Sequence, residues 1–270
     1  MKAPTILGMS LQRQYQDDGV VLLKDALDPA SLAAAQEAYE WSLANPGPGA
    51  SRLPQKGEGV FLNDLFNPRC LDGYREMLQA SPLPAQIAGI WGTHDVWFFY
   101  EQVFLKEGGE TRRTPWHQDS SYLAIAGDDL AVAWITFDPT TEQDSLEFVR
   151  GSHKGTLYNG SRFDPNDDTA PTHPNSPLPR LPDIEADRSG WDIVSFATTP
   201  GDVVLFHPKT LHGGAPTHPE TRRRTLTLRF FGDDAVYDPR DGGAGPNVKG
   251  FHQRMQPGDP FRDPAFLKLR

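Results

Sequence analysis

Apolar positions in this 270-residue chain cluster in short runs rather than at helical spacing. Residues 20–23, 131–137, 145–149, 193–196, 203–206 and 222–231 are such runs, bounded by Gly, Pro, Asp or Asn. That pattern predicts strands. The aromatic run 95–105 reads as a further buried strand. Helical signals gather near the start. Asp28 is an N-cap with Pro29 at the first helical position, and the helix runs to about Leu43, before the breaker Asn45-Pro46-Gly47-Pro48. A second helix is expected over 69–79, with Pro82 and Pro84 marking its end. Residues 49–68 read as loop, and 106–110 as a turn. The proline-rich stretch 158–190 is the longest irregular segment and suits either an active-site lid or a surface insertion. The polar tail 233–270 should wrap the surface. Short strands after two helices predict a mainly β fold, a barrel or sandwich rather than a doubly wound sheet. One domain over 1–270 is expected, with helices at about 28–80 and a barrel core at about 95–232.

Composition narrows the partners. Acidic residues number 36 against 26 basic, a formal net charge of −10 that argues against nucleic acid and anionic membranes. No apolar run approaches a membrane span. The opening Met1-Lys2-Ala3-Pro4-Thr5 lacks a secretory pattern. Cys70 is the lone cysteine, so no intrachain disulfide can form; a reducing, cytoplasmic setting is expected. A small-molecule substrate and a monomer or homodimer are expected.

The candidate chemistry starts at Thr114-Pro115-Trp116-His117-Gln118-Asp119. On an extended strand His117 and Asp119 share a face, roughly 7 Å apart at Cα, with Gln118 opposite. An imidazole and a carboxylate converging in this way are two thirds of a facial metal triad, which suits non-haem Fe(II). A His-x-Asp taken alone is more often just a satisfied polar pair. His212, 95 residues on and followed by Gly213-Gly214, is a candidate second imidazole. Arg223 lies eleven residues beyond it.

These pieces resemble the phytanoyl-CoA dioxygenase family of Fe(II)/2-oxoglutarate oxygenases. The resemblance runs through Thr114–Asp119, Glu147-Phe148-Val149-Arg150-Gly151-Ser152-His153-Lys154-Gly155, Gly201-Asp202-Val203-Val204-Leu205-Phe206-His207-Pro208, Leu211-His212-Gly213 and Arg223–Phe230. It implies a double-stranded β-helix, a jelly-roll or cupin-like core. It implies Fe(II) ligation by His117, Asp119 and His212. It also implies that Arg223 anchors the distal carboxylate of 2-oxoglutarate, with Thr136 and Trp134 as softer candidates for contacts to it. O2 completes the set, and the implied reaction is hydroxylation with release of succinate and CO2. Gly214 departs from family members that carry a hydroxyl there, and Thr227 is a replacement candidate. Related halogenases lack the carboxylate that Asp119 supplies. Two alternatives are a Zn-dependent cupin-type hydrolase or isomerase, and a non-catalytic binding module of the same fold.

Overall fold

The computed structural model describes residues 10–52, 59–107, 111–214, 217–218, 221–240, 246 and 248–270. Met1–Thr5 and the Gly108–Glu110 part of the expected turn lie outside the described residues. The elements in order are α1 (Leu11–Asp18), β1 (Val20–Leu23), α2 (Pro29–Ala44), β2 (Ser51–Arg52), β3 (Val60–Leu65), α3 (Cys70–Ala80), α4 (Leu83–Trp91), β4 (Trp97–Glu107), β5 (Thr114–His117), β6 (Ile125–Ala126), β7 (Leu130–Thr136), β8 (Leu146–Val149), β9 (Ile193–Ser195), β10 (Val203–Phe206), β11 (His212–Gly214), β12 (Arg223–Phe231), β13 (Val236–Tyr237), α5 (Phe251–Arg254) and β14 (Leu267–Lys268).

A large antiparallel sheet runs β1-β10-β7-β12-β4-β3-β2, with β14 also on β4. A smaller sheet, β5-β11-β8-β9, faces it. This is the double-stranded β-helix that the sequence led us to expect. Strand alternation divides the large sheet. Leu226, Leu228 and Phe230 of β12, with Ala131, Ala133 and Ile135 of β7, join Tyr39, Met77 and Ile87 of the helices in the main core. The opposite face carries Val132, Trp134, Val204 and Phe206, which pack with Phe148 of the small sheet. Odd positions of β12 therefore look into the space between the sheets.

Asp28 caps α2 by accepting from Ser31 N at 2.8 Å, with Pro29 in the first turn as expected. Three elements depart from the sequence reading. Pro82 and Pro84 follow the end of α3 at Ala80 as expected, but they also open a further helix, α4: a first turn has N–H groups without helical acceptors, so proline costs nothing there. α1 occupies the polar stretch before Gly19, with Ser10 Oγ accepting from Arg13 N and Gly19 closing it at φ 75. β3 lies in the expected loop; its polar Asp64 is buried and accepts from Gly47 N at 2.8 Å.

One irregularity shapes the cavity. Arg229 pairs with Tyr100 and Phe230 with Phe98, so Phe99 is an extra residue in β4. Beyond this bulge Phe98 turns to the helix core. Phe99 joins a second aromatic cluster with Phe231, Phe251, Phe261 and Phe266, which ties the C-terminal segment to the sheet. Among the described residues no helix is long and apolar enough to cross a membrane.

Candidate metal centre

β5 and β11 are paired so that His117 and His212 are direct cross-strand partners. Glycine is needed beside them. A Cβ on Gly213 would lie 2.9 Å from the Thr114 carbonyl oxygen, so a side chain would prise the two strands apart. Asp119 arrives differently from the sequence reading. β5 ends at His117, Gln118 is extended, and Asp119 begins a 3-10 turn at 119–122. The turn, rather than continued strand alternation, brings the carboxylate to the imidazoles. Gln118 holds that corner. It is buried, donates to the carbonyls of Thr156 at 3.0 Å and Lys209 at 2.8 Å, and accepts from Tyr158 N at 2.8 Å.

The three side chains offer ligand atoms all within 4.8 Å of one another, and all three residues are buried. Each imidazole is oriented by a backbone carbonyl two residues back. His117 Nδ1 lies 2.8 Å from Pro115 O, and His212 Nδ1 lies 2.9 Å from Thr210 O. Donating from Nδ1 leaves Nε2 as a lone-pair donor aimed at the centre. Those Nε2 atoms stand 3.4 and 3.8 Å from Asp119 Oδ1. Asp119 Oδ2 is engaged elsewhere: Arg229 Nη2 and Nε donate to it at 2.7 and 3.2 Å. One carboxylate oxygen is thus left for a metal.

The electrostatics agree with that assignment. Burial alone would push the Asp119 carboxyl up, but Arg229 and the two imidazoles hold it well below the usual range. Burial, and then the neighbouring His117, pushes His212 down to about 3. An ionised carboxylate and a neutral imidazole are the states in which these groups bind metal. Two imidazoles and one monodentate carboxylate on one face suit Fe(II) with open positions.

A cavity of about 460 Å³ opens over the triad, within the ordinary range for small-molecule sites. Below it the large sheet forms a grid of cross-strand rows whose residues, Thr136 and Val132 apart, line the cavity. Phe61, Lys106 and Arg223 form one row, and Asn63, Phe104, Thr225 and Thr136 the next. Leu65, Gln102, Thr227 and Trp134 form the third, and Tyr100, Arg229 and Val132 the fourth. Arg223, 8% exposed, lines the cavity and donates to the Asp144 carbonyl. Lys106, 3% exposed, lies beside it. Its ammonium donates to Arg112 O at 3.2 Å and sits 4.1 Å from the Phe61 ring centroid. Burial pushes Arg223 down to about 10, with Asp144 opposing; burial and the charges of Arg223 and Arg113 push Lys106 well below its ordinary value. Two adjacent buried basic groups make a seat for an anion, whose charge would favour their protonated forms. Two further polar atoms, Thr227 Oγ1 and Arg229 Nη1, are buried without a hydrogen-bond partner among the described residues. Both residues line the cavity. Such orphaned donors fit a ligand between the sheets.

The profile of the phytanoyl-CoA dioxygenase (PhyH) family matches residues 15–225. The chain belongs to that family. A probable alpha-ketoglutarate-dependent hypophosphite dioxygenase from Stutzerimonas stutzeri is 31% identical over 128 residues, 44% of this chain and 40% of that protein. Human peroxisomal phytanoyl-CoA dioxygenase is 27% identical over 150 residues, 53% of this chain and 40% of that protein. The matches thus span about 40% of the length of these curated relatives. Among solved structures, the non-heme alpha-ketoglutarate-dependent carbocyclase SnoK from nogalamycin biosynthesis has a TM-score of 0.70 at 21% identity, covering 100% of both chains. The epimerase SnoN, in complex with Fe3+, alpha-ketoglutarate and nogalamycin RO, has a TM-score of 0.66 at 20% identity, covering 96% of this chain and 97% of that one. At those identities the likeness is one of fold.

Against the expectations drawn from the family motifs, the fold brings His117, Asp119, His212, Arg223 and Trp134 to one cavity. Thr136 is different. It shares Trp134's face of β7 but does not line the cavity, and its hydroxyl is 3.2 Å from Thr198 Oγ1. Sequence reasoning missed the Arg229 hold on Asp119 and the Lys106 neighbour of Arg223. A signal for Lys106 existed in its place directly after the aromatic run 95–105, but 106–110 reads as a turn, whereas β4 continues to Glu107.

Proposed function

We propose that the protein is an Fe(II)- and 2-oxoglutarate-dependent dioxygenase that hydroxylates a small molecule. His117 Nε2, Asp119 Oδ1 and His212 Nε2 would hold the iron. The observation that carries the reading is the Arg223–Lys106 pair in the same cavity as a complete triad. A Zn(II) hydrolase has no use for that anion seat, and a non-catalytic module would tolerate loss of a ligand.

When bound, iron, 2-oxoglutarate and O2 together supply the oxidant, with succinate and CO2 released. The chain does the rest. Arg223 offers a fork to the distal carboxylate, and Lys106 adds a second charge. Trp134 forms the wall beside the seat. Thr227 offers the hydroxyl that Gly214 cannot. Arg229 keeps Asp119 to one free oxygen. Residues 158–190 act as a cover. They are pinned near the site by Tyr122 donating to Ser161 O at 2.7 Å, by Trp116 Nε1 donating to Glu185 at 2.7 Å and by Arg112 donating to Asp164 O at 2.7 Å. A cover keeps water from the reacting centre.

A cytoplasmic setting is supported by the lone cysteine. The relatives' names range from hypophosphite to phytanoyl-CoA and nogalamycin, which supports a small-molecule substrate. The test is succinate formation from 2-oxoglutarate with Fe(II) under air, in the presence of a small-molecule panel. Fe(II)-dependent succinate is expected. Ester hydrolysis supported by Zn(II), with no succinate from the Fe(II)-loaded protein, would overturn the reading.

A further inference from the structure

Three non-glycine residues among those described have left-handed backbones: Asp25 at φ 50, Phe66 at φ 53 and Phe163 at φ 57. Aspartate tolerates this region, whereas a phenylalanine is held there against its preference. Both phenylalanines line the metal cavity. Each is fastened. Phe163 N donates to Ser161 Oγ at 3.0 Å, and its carbonyl accepts from Arg112 at 3.3 Å. Phe66 is followed by Asn67, whose N–H donates to Glu101 Oε1 at 3.0 Å. Strain at a cavity wall points to use of the side chain there.

The two rings belong to opposite layers. Phe66 stacks on Tyr100 of the large sheet, with centroids 3.7 Å apart and planes 21° apart. Phe163 stands edge-on to His117 of the small sheet at 5.4 Å and nearly parallel to Tyr122 at 6.4 Å. Phe163 is 38% exposed, although the fold buries most of its large apolar side chains. Part of its ring stays exposed beside the candidate metal ligands.

Charge on this side of the cavity is already neutralised. Arg113 is held by Glu147 at 2.8 Å and by Glu185, and Arg112 by Asp168 and the Asp164 carbonyl. The Lys106–Arg223 row is the seat assigned to the cosubstrate. A phosphate or carboxylate on the substrate would therefore meet cations that already have acidic partners. Aromatic faces, rather than branched aliphatic walls, select flat rings.

We infer that the cavity takes a flat, ring-bearing, uncharged substrate between the faces of Phe66 and Phe163. This rests on the oxygenase reading, and the experiment keeps the two separable. Binding of a neutral dihydroxyanthraquinone is measured by equilibrium dialysis against the metal-free protein and against the protein loaded anaerobically with Fe(II) and 2-oxoglutarate. Decanoyl-CoA is the aliphatic, anionic comparison. The anthraquinone should bind and decanoyl-CoA should not. Phe163→Asn keeps the left-handed backbone and removes the ring, so binding should weaken about tenfold; Phe163→Tyr should restore it. Phe66→Leu, milder than truncation of a packed ring, should also weaken it. The Fe(II)–2-oxoglutarate absorption band is recorded for the parent and for each variant. Anthraquinone binding that depends on Phe163 in a protein giving no such band would support this inference and remove the oxygenase reading. Equal binding by Phe163→Asn and the parent, or tighter binding of decanoyl-CoA than of the anthraquinone, would overturn the inference.

Discussion

Arg229 holds the second oxygen of Asp119, with Nη2 at 2.7 Å and Nε at 3.2 Å, so the carboxylate can offer a metal only Oδ1. Both side chains are buried. Removing one partner of such a pair leaves an uncompensated charge and costs about 3–5 kcal/mol. Arg229→Met should therefore lower the stability of the metal-free protein by about that much. Fe(II) would neutralise part of the stranded carboxylate, so the loss should shrink when metal is added. Thermal unfolding with and without anaerobic Fe(II) reads both effects. An equal loss in the two states would contradict the coupling.

The anion seat has two parts with separable costs. Arg223→Ala should raise the 2-oxoglutarate requirement strongly, because removing one partner of a buried charged contact costs about 2–5 kcal/mol. Arg223→Lys keeps the charge without the fork and should fall between that variant and the parent. Lys106→Met should raise the requirement by about tenfold, the scale of one charge-assisted contact. Affinity for Fe(II) alone should not change in any of them. Anaerobic titration at fixed Fe(II) measures each.

Lys106→Met also makes a statement about the free protein. The Lys106 pKa is lowered from its ordinary 10.5, first by burial and then by the charges of Arg223 and Arg113. The folded state thus binds fewer protons than the unfolded one, and the parent's stability rises as pH climbs towards 10.5. Lys106→Met should be the more stable protein at neutral pH without ligand, and its advantage should shrink at alkaline pH. Denaturant midpoints at neutral and alkaline pH test this; a constant gap would sink it.

Glu101 gives a pH effect of the opposite kind, away from the metal ligands. Burial raises its carboxyl from 4.5 to about 7, and Oε2 has no hydrogen-bond partner among the described residues. The folded state binds more protons than the unfolded one between those values, so the parent loses stability as pH rises through that window. Glu101→Gln keeps an acceptor for Asn67 N and cannot ionise. Its advantage over the parent should open from about pH 4.5 and level off above about 7, reaching on the order of 3 kcal/mol. Urea unfolding of both proteins at pH 5 and pH 8 decides it.

β1, β4, β7, β8, β9, β10, β12 and α2 were legible because apolar runs and capping are local properties of sequence, whereas β3 lies in a stretch that reads as loop. Arg223 and Arg224 show alternation at work: Arg223 enters the cavity, while Arg224 turns outward to Asp138 at 2.9 Å. The position of Asp119 was not legible in the same way, since the chain leaves β5 for a 3-10 turn after one residue. The bulge at Phe99 left no local mark either. It sends Phe98 to the helix core and Phe99 to the aromatic cluster with Phe231 and Phe261. The Lys106–Arg223 and Asp119–Arg229 contacts are long-range, and cross-strand register decides them. Thr136 shows the limit of face assignment. It is on the expected face, but Thr198 reaches its hydroxyl.

The central claim is that one site binds both Fe(II) and 2-oxoglutarate. Anaerobic visible absorption reads this directly. The parent protein should develop a charge-transfer band only when both components are present. Asp119→Ala and His212→Ala should lose it at the same concentrations, and Arg223→Ala should recover it only at much higher 2-oxoglutarate. A folded, Fe(II)-loaded parent that gives no band at saturating 2-oxoglutarate would contradict the account.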